Sequence, residues 1–452
     1  MAVDASLPLT PRARRRVGAR KKAAWVLAYG CGVVLPLVLA ARTPVAPGRG
    51  IADELGSALG IIALALLGLQ LVVPARLRAV TGVLGADVAV RLHRRLADVT
   101  FAAIGAHIAV VMLAKPARLL FLLFFGAPWR AQAAVASTVA LALLVGSSVW
   151  RGHLQIPYVL WRGLHIALGT GALVLAAVHT VGVDGYLMHG LAAVWLALFV
   201  AGSVTALVEL RILKPRRLAR DAYVIQAVVP EAGGATTIRL RASGHPGRAF
   251  RPGQFAWLKL ADDPTGLAEH PFSYSSSAVT PERPSFTIKA YGGFSRRVAE
   301  LEPGTNVVID GPHGSYWPAP DATGHVLIAG GIGITPSISL LRTAADLGDR
   351  RPYLLVYANR SEADIVLAEE LTGLAVRLDL TVVHVLSAPS ADWTGERGRI
   401  CRDLLERHLP ADLRGCEFFV CASPAAAATC VDALAAAGVA PEYVHVEDFE
   451  HV

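Results

Sequence analysis

LHRRLADVTFAAIGAH (residues 92–107) and WRGLHIALGTGALVLAAVH (residues 161–179) are the two stretches on which the reading of this chain turns. Both are apolar enough for membrane helices, yet they carry His93 and His107, and His165 and His179. An ionisable or ligating side chain inside such a helix is costly and functional by default. In each stretch the two histidines are 14 positions apart. That is close to four helical turns, so each pair shares a face and is separated by ~21 Å along the axis. Two helices running in the same direction set His93 level with His165, and His107 level with His179. Each level then offers two imidazoles, enough to hold one metal ion from opposite sides.

The surrounding sequence supports a membrane setting. The chain has 452 residues, of which 54% are hydrophobic and 17% charged, and its mean hydropathy is +0.48. This is too apolar for an ordinary soluble protein, and the length points to more than one domain. Six segments approach the roughly 20 residues that span a bilayer: residues 25–41, 55–73, 92–113, 133–150, 160–181 and 190–210. Residues 119–125 are apolar but too short, and fit the interface or a cap on the bundle. The basic stretch before residue 25 resembles a secretory leader, but five further apolar segments favour an uncleaved first span.

The net charge of +8 does not read as a nucleic-acid footprint, because the cations cluster at the ends of the apolar runs. One side collects Arg12, Arg14, Arg15, Arg16, Arg20, Lys21 and Lys22, then Arg76, Arg78, Arg91, Arg94, Arg95, Arg151 and Arg162. Arg211, Lys214, Arg216, Arg217 and Arg220 follow the sixth segment on that same side. The other side holds only Arg42, Arg49, Lys115, Arg118 and Arg130. The positive-inside rule therefore places both termini in the cytoplasm of a multi-pass cell-membrane protein. The third and fifth segments then run in the same direction, as the paired levels require. The five cysteines form no C-x-x-C pair, and no plant-type iron–sulfur spacing is present.

Single membrane histidines can be satisfied polar groups, but four in two matched pairs are hard to explain that way. His153 and His189 fall at helix ends and read as interfacial. Gly105, Ala106, Gly163, Gly169 and Gly171 would admit a flat macrocycle, and equally favour close helix packing. The two histidine stretches resemble the haem helices of the ferric reductase / NADPH oxidase transmembrane family. The resemblance covers the membrane half and implies two b-type haems with bis-histidine ligation. It also implies an extracytoplasmic acceptor, either a ferric chelate or oxygen. The animal oxidases carry a further histidine one turn beyond the second ligand of the third helix. Val111 stands there in this chain, which favours ferric iron over oxygen. A quinone or a partner protein remains open as acceptor, and a partner subunit is possible without being implied.

Beyond Pro215 the sequence changes to short β-rich runs with tight turns, which fits a small antiparallel barrel over residues 223–316. His270-Pro271-Phe272-Ser273-Tyr274-Ser275-Ser276 offers an aromatic ring to stack on a flavin, with hydroxyls for its polar edge. In Lys289-Ala290-Tyr291-Gly292-Gly293-Phe294-Ser295, a glycine pair opens a helix predicted over residues 295–301, suiting a pyrophosphate. Together these resemble the FAD domain of ferredoxin reductase-like proteins, with the His-Pro-Phe opening seen in ferric reductases and NADPH oxidases. The resemblance implies flavin contacts from His270, Pro271, Phe272, Ser273 and Ser275. Ser273 would lie near flavin N5, and Lys289, Gly292, Gly293, Phe294 and Ser295 near the phosphates.

From about residue 324 the pattern becomes strand–turn–helix, as in a Rossmann-like nicotinamide domain. The apolar strand at residues 325–329 runs into Gly330-Gly331-Ile332-Gly333-Ile334-Thr335-Pro336, a loop whose backbone suits phosphates. Arg360 ends a later strand where an adenosine ribose would lie. A 2′-phosphate would be matched by it, but a plain surface arginine is nearly as good a reading, so NADPH over NADH is a lean. Cys421-Ala422-Ser423-Pro424 resembles the family's Cys-Gly-Pro motif, with Ala422-Ser423 in place of one glycine. Cys421 is therefore expected beside the nicotinamide, and Phe449 over the flavin. The expected organisation is a basic tail (residues 1–22), a haem bundle (23–213), an antiparallel FAD barrel (218–318) and a nicotinamide domain (323–452).

Overall fold

The structure is a computed structural model and describes residues 11–43, 50–73, 86–260 and 269–447. The chain divides into two compact units, Lys21–Arg216 and Arg217–Val452, with the stretch up to Arg20 grouped with the latter.

The first unit is helical. Its helices are α1 (Pro11–Ala41), α2 (Ile51–Val72), α3 (Ala86–Ala114), α4 (Trp129–Val149), α5 (Tyr158–Val183) and α6 (Gly190–Val208). All six contain windows long and apolar enough to cross a bilayer, judged by length and composition. The first span begins at Ala23, but the helix starts at Pro11. The basic residues expected in a tail are thus helical from position 11, because Arg, Lys and Ala are strong helix formers and Pro suits a first turn. Residues 1–10 lie outside the described residues, as do Arg49, Arg76 and Arg78. Residues 116–123 form a short 3-10 helix with no buried side chain, consistent with an interfacial segment.

The bundle is built from two tight pairs, α2 with α3 and α4 with α5. The side-chain hydroxyl of Ser137 bonds the Ala172 carbonyl across the second pair at 2.8 Å. Helix α2 is the most enclosed, burying 44% of its span. The histidine helices α3 and α5 pack on these neighbours and hardly meet each other along their backbones. Much of the outer surface is apolar, with Leu198 68% and Leu191 71% exposed. Such a surface matches lipid rather than water.

After α7 (Lys214–Arg220) the second unit opens with a sheet of β1 (Tyr223–Glu231), β2 (Ala235–Ala242), β3 (Phe255–Leu260), β4 (His270–Ser273), β5 (Ser285–Lys289) and β6 (Asn306–His313). Its order is β4-β3-β6-β1-β2-β5, with every pairing antiparallel. The expected barrel is not closed by a ladder. Its two edges meet at one isolated bridge, Tyr274 with Phe286. Strand β4 is only four residues long, too short to continue a ladder along β5. Tyr223, Ile225, Leu240, Leu258, Tyr274 and Phe286 fill the interior.

Helix α8 (Gly293–Arg297) follows β5. The helix expected over residues 295–301 therefore starts two residues earlier, and a 3-10 turn completes it at residues 298–300. A second sheet then forms from β7 (Gly324–Gly330), β8 (Tyr353–Asn359), β9 (Leu380–Leu386), β10 (Glu396–Arg397), β11 (Cys416–Cys421) and β12 (Val444–Glu447). Its order is β10-β9-β8-β7-β11-β12, and every pairing is parallel. Strand alternation sorts its side chains. Leu327, Leu355, Tyr357 and Phe419 face α9 (Ile334–Leu347) and α10 (Ala368–Arg377). Val326, Val356, Phe418 and Val420 face α11 (Arg402–His408) and α12 (Pro424–Ala436). Burial on both faces explains the near-continuous apolar strands.

Candidate functional site

The histidines come together in the predicted pairs. The ring centres of His93 and His165 are 6.2 Å apart, their planes inclined at 67°. Those of His107 and His179 are 6.5 Å apart and inclined at 68°. Imidazole–metal bonds of about 2.0 Å, with roughly 1 Å more from nitrogen to ring centre, place two rings on opposite sides of one ion about 6 Å apart. The observed spacings match that arrangement.

Hydrogen bonds decide which ring nitrogen is free. His107 Nδ1 lies 2.7 Å from the Gly56 carbonyl oxygen. His179 Nδ1 lies 2.9 Å from that of Arg130. A carbonyl only accepts, so each Nδ1 carries the proton and each Nε2 keeps a lone pair for a metal. At the other level, the Ser148 hydroxyl donates to the Leu144 carbonyl at 2.7 Å. It accepts from Trp161 Nε1 at 3.2 Å and lies 3.3 Å from His165 Nδ1. Its single proton is already committed, so His165 Nδ1 is the donor. His93 Nδ1 is buried with no hydrogen-bond partner among the described residues.

Sequence reasoning missed the carbonyls of Gly56 and Arg130, and the side chains of Ser148 and Trp161. Backbone acceptors leave no trace in residue identity. Gly60 was the available signal: a Cβ there would lie 2.9 Å from His107 Cε1, so glycine lets α2 approach that ring without displacing it. No cluster of three or more His, Cys, Asp or Glu able to hold a metal occurs among the described residues. Each level offers two imidazoles, and a planar macrocycle would supply the remaining positions around a metal.

In the first sheet, β4 and α8 are brought together. The His270 ring stacks on Phe294 at 4.4 Å, and Phe272 stacks on it at 5.9 Å. Pro271 pairs with Trp257 on β3. Ser273 is buried, and its hydroxyl has no partner among the described residues. An orphaned hydroxyl beside stacked aromatic rings suits the polar edge of a flavin. Ser275 is turned the other way, because its hydroxyl bonds Ser285 and Thr287 inside the sheet. The Ser295 hydroxyl accepts from the backbone N–H groups of Tyr291 and Gly292, both at 2.9 Å. Ser295 thus shapes the Gly292-Gly293 turn, leaving the backbone of Gly293 and Phe294 at the opening of α8. Lys289 reaches to 4.0 Å from Asp364. The Ser361 hydroxyl first, then the charges of Lys289 and Arg360, hold the Asp364 carboxyl below its usual range. Lys289 and Arg360, expected at different parts of a cofactor, therefore share one neighbourhood.

The strand order of the second sheet reverses between β7 and β11, the switch point beyond whose carboxyl ends such folds bind ligands. Gly330, Gly331 and Gly333 leave β7 there, and Cys421 leaves β11 beside them. A Cβ on Gly333 would lie 2.1 Å from the Cys421 carbonyl oxygen. The Thr335 hydroxyl bonds the Ile332 carbonyl at 3.1 Å, and Pro336 is buried in the first turn of α9. These two residues brace the loop. Cys421 is fully buried at the end of β11. Burial foremost, and then the neighbouring Cys421, push the Tyr316 phenol far above its usual range. Ala422 and Ser423 precede Pro424, which starts α12, and Ala422 Cβ comes within 3.1 Å of a Cβ placed on Gly330. Arg360 is exposed beyond β8. Phe449 lies outside the described residues.

The model of the oxidoreductase NAD-binding domain matches residues 327–432, which spans this crevice. The C-terminal half is a ferredoxin reductase-like FAD/NAD-binding unit. Among curated relatives is the ferredoxin reductase component of the 3-ketosteroid-9-alpha-monooxygenase of Mycolicibacterium smegmatis. It is 30% identical over 251 residues, covering 54% of this chain and 65% of that protein. NADH-cytochrome b5 reductase 1 of Kluyveromyces lactis is 34% identical over 143 residues, covering 30% of this chain and 51% of that protein. Among solved structures, the FAD/NAD-binding domain of a Vibrio cholerae nitric oxide dioxygenase is 20% identical, with a TM-score of 0.46. That match covers 51% of this chain and 98% of that one. The chain spans 65% of the length of one of the curated relatives it matches and 43% of another.

Proposed function

We propose that this protein is a membrane flavocytochrome b that carries electrons from cytoplasmic NAD(P)H to an acceptor beyond the membrane, with a ferric chelate the leading candidate. The observation that carries this reading is the pair of imidazole spacings, 6.2 and 6.5 Å, on two membrane helices that stand apart. When bound, FAD accepts a hydride and yields single electrons, and two b-type haems relay them. His93 and His165 would hold the haem nearer the cytoplasm, and His107 and His179 the one nearer the outside. His270, Phe272 and Phe294 would grip the isoalloxazine rings, with the Ser273 hydroxyl facing their polar edge. Gly330, Gly331 and Gly333 would bring backbone N–H groups to the dinucleotide phosphates, and Cys421 would border the nicotinamide. Phe449 would cover the flavin until the nicotinamide enters. The nicotinamide domain of residues 323–452 and the FAD domain of residues 218–318 would lie in the cytoplasm.

The deciding experiment is a reduced-minus-oxidised spectrum of the purified protein given NADPH or NADH, with oxygen or ferric citrate as oxidant. A b-type haem signal reoxidised by ferric citrate is expected. Absence of that signal sinks the reading, and rapid reoxidation by oxygen alone turns it into an oxidase. Val111, in place of a further histidine beyond His107, favours the ferric acceptor. A protein acceptor is the second reading, favoured because several relatives are named as reductase components of oxygenase systems.

A further inference from the structure

The two histidine levels are held in different ways. At the outer level both Nδ1 atoms are fixed by backbone carbonyls, Gly56 and Arg130. At the inner level His93 Nδ1 has no hydrogen-bond partner among the described residues, and His165 Nδ1 meets a side chain, Ser148. Ser148 is itself fixed, donating to Leu144 and accepting from Trp161. The Trp161 ring lies 5.2 Å from His165, centre to centre. The Arg151 guanidinium covers that indole at 5.3 Å and the Tyr158 ring at 5.7 Å. A chain of contacts therefore runs from Arg151 through Trp161 and Ser148 to one ligand of one level.

We propose that Ser148 is a positioning residue that sets the redox potential of the inner haem alone, acting through His165. This rests on the bis-histidine reading above. An acceptor on Nδ1–H makes an imidazole a stronger donor to its metal and favours oxidised iron, which lowers the potential. Among the described residues Ser148 supplies the only such acceptor at the inner level, whereas the outer level has two that side-chain substitution cannot remove. Trp161 orients the hydroxyl by committing one of its lone pairs, and Arg151 pins the indole.

The test is a potentiometric titration of the full-length purified protein, with haem content counted independently. Ser148→Ala should keep two haems and raise one midpoint potential while the other stays in place, and Ser148→Thr should bring it back. Two unmoved midpoints, or two that move together, would overturn the proposal. If Ser148→Ala does not assemble, Trp161→Phe keeps the hydroxyl but removes its donor. The same single midpoint must then move, and a fixed one overturns the proposal. A wild-type protein without haem refutes the underlying reading instead, so the two failures are told apart.

Discussion

In the bundle, α3 and α5 hardly meet along their backbones and their imidazoles reach towards each other; in the parallel sheet, the central strands are covered by side chains on both faces. The sheet closes its own core, with Leu327, Val356, Phe418 and Phe419 fully buried. Each such burial is worth about 1.5–3 kcal/mol. The bundle invests instead in orientation, spending backbone carbonyls to fix the tautomers of two histidines. One unit is stable through what its residues fill, and the other, on the proposed reading, is shaped for what its residues would hold.

That contrast can be broken most directly at the histidines. His107→Ala and His179→Ala should each remove the same one of two haems, read as half the haem content with one surviving midpoint. Loss of both haems from either variant would break the pairing. Phe419→Ala should act on the other unit, lowering its stability by about 3–5 kcal/mol in denaturant melts followed by flavin release. Haem content should not change, and parallel loss of haem would erase the contrast.

Acidity offers a third probe. Burial first, and then the Arg351 charge, bring the pKa of His325 down to about 4 from the usual 6.5. The folded state therefore keeps His325 neutral where the unfolded chain would protonate it. Its contribution is complete above the unfolded pKa near 6.5 and declines as pH falls towards 4. At the acid limit the loss is about 3 kcal/mol. His325→Gln should flatten that decline in melts of the second unit, and an unchanged slope would assign it to other groups. Gly333→Ala places a methyl against the Cys421 carbonyl. Reduction of the flavin by NAD(P)H should slow about tenfold, which is about 1.4 kcal/mol, with FAD retained. Stopped-flow traces at wild-type speed would show that the crevice tolerates the group. Gly60→Ala should have the smallest effect, about 1 kcal/mol, as weaker retention of the outer haem on dilution, because α2 or His107 can shift by a fraction of an ångström.

What was legible in the sequence follows the same division. Spacing along a helix is rigid, so the 14-residue interval of the histidines fixed both levels and their partners in advance. Apolar strands separated by glycine turns made the parallel sheet equally plain. The open edge of the first sheet was not legible, because closure depends on the length of β4, and four residues of pattern do not mark a strand end. The two uses of serine were hidden too. Ser273 and Ser275 belong to one motif and their spacing of two would give them one strand face, yet β4 ends at Ser273; beyond it the Ser275 hydroxyl bonds Ser285 and Thr287, while that of Ser273 has no partner among the described residues. Ser148 escaped notice because a hydroxyl near the end of an apolar helix usually bonds its own backbone, which it also does here.

The tight helix pairs have a consequence for how such a bundle tolerates change. Helix α2 brings a carbonyl to the second histidine of α3, and α4 does the same for α5. The bundle is thus two half-clamps of the same plan, each with one graduated arm. An insertion of one residue between His93 and His107 turns the second mark by about 100° and moves it by about 1.5 Å. The facing arm keeps its marks in place, so the mismatch cannot be shared between the two levels. On the proposed reading, substitutions elsewhere on these helices meet lipid or neighbouring side chains that can give way, whereas the interval between the histidines works as a ruler.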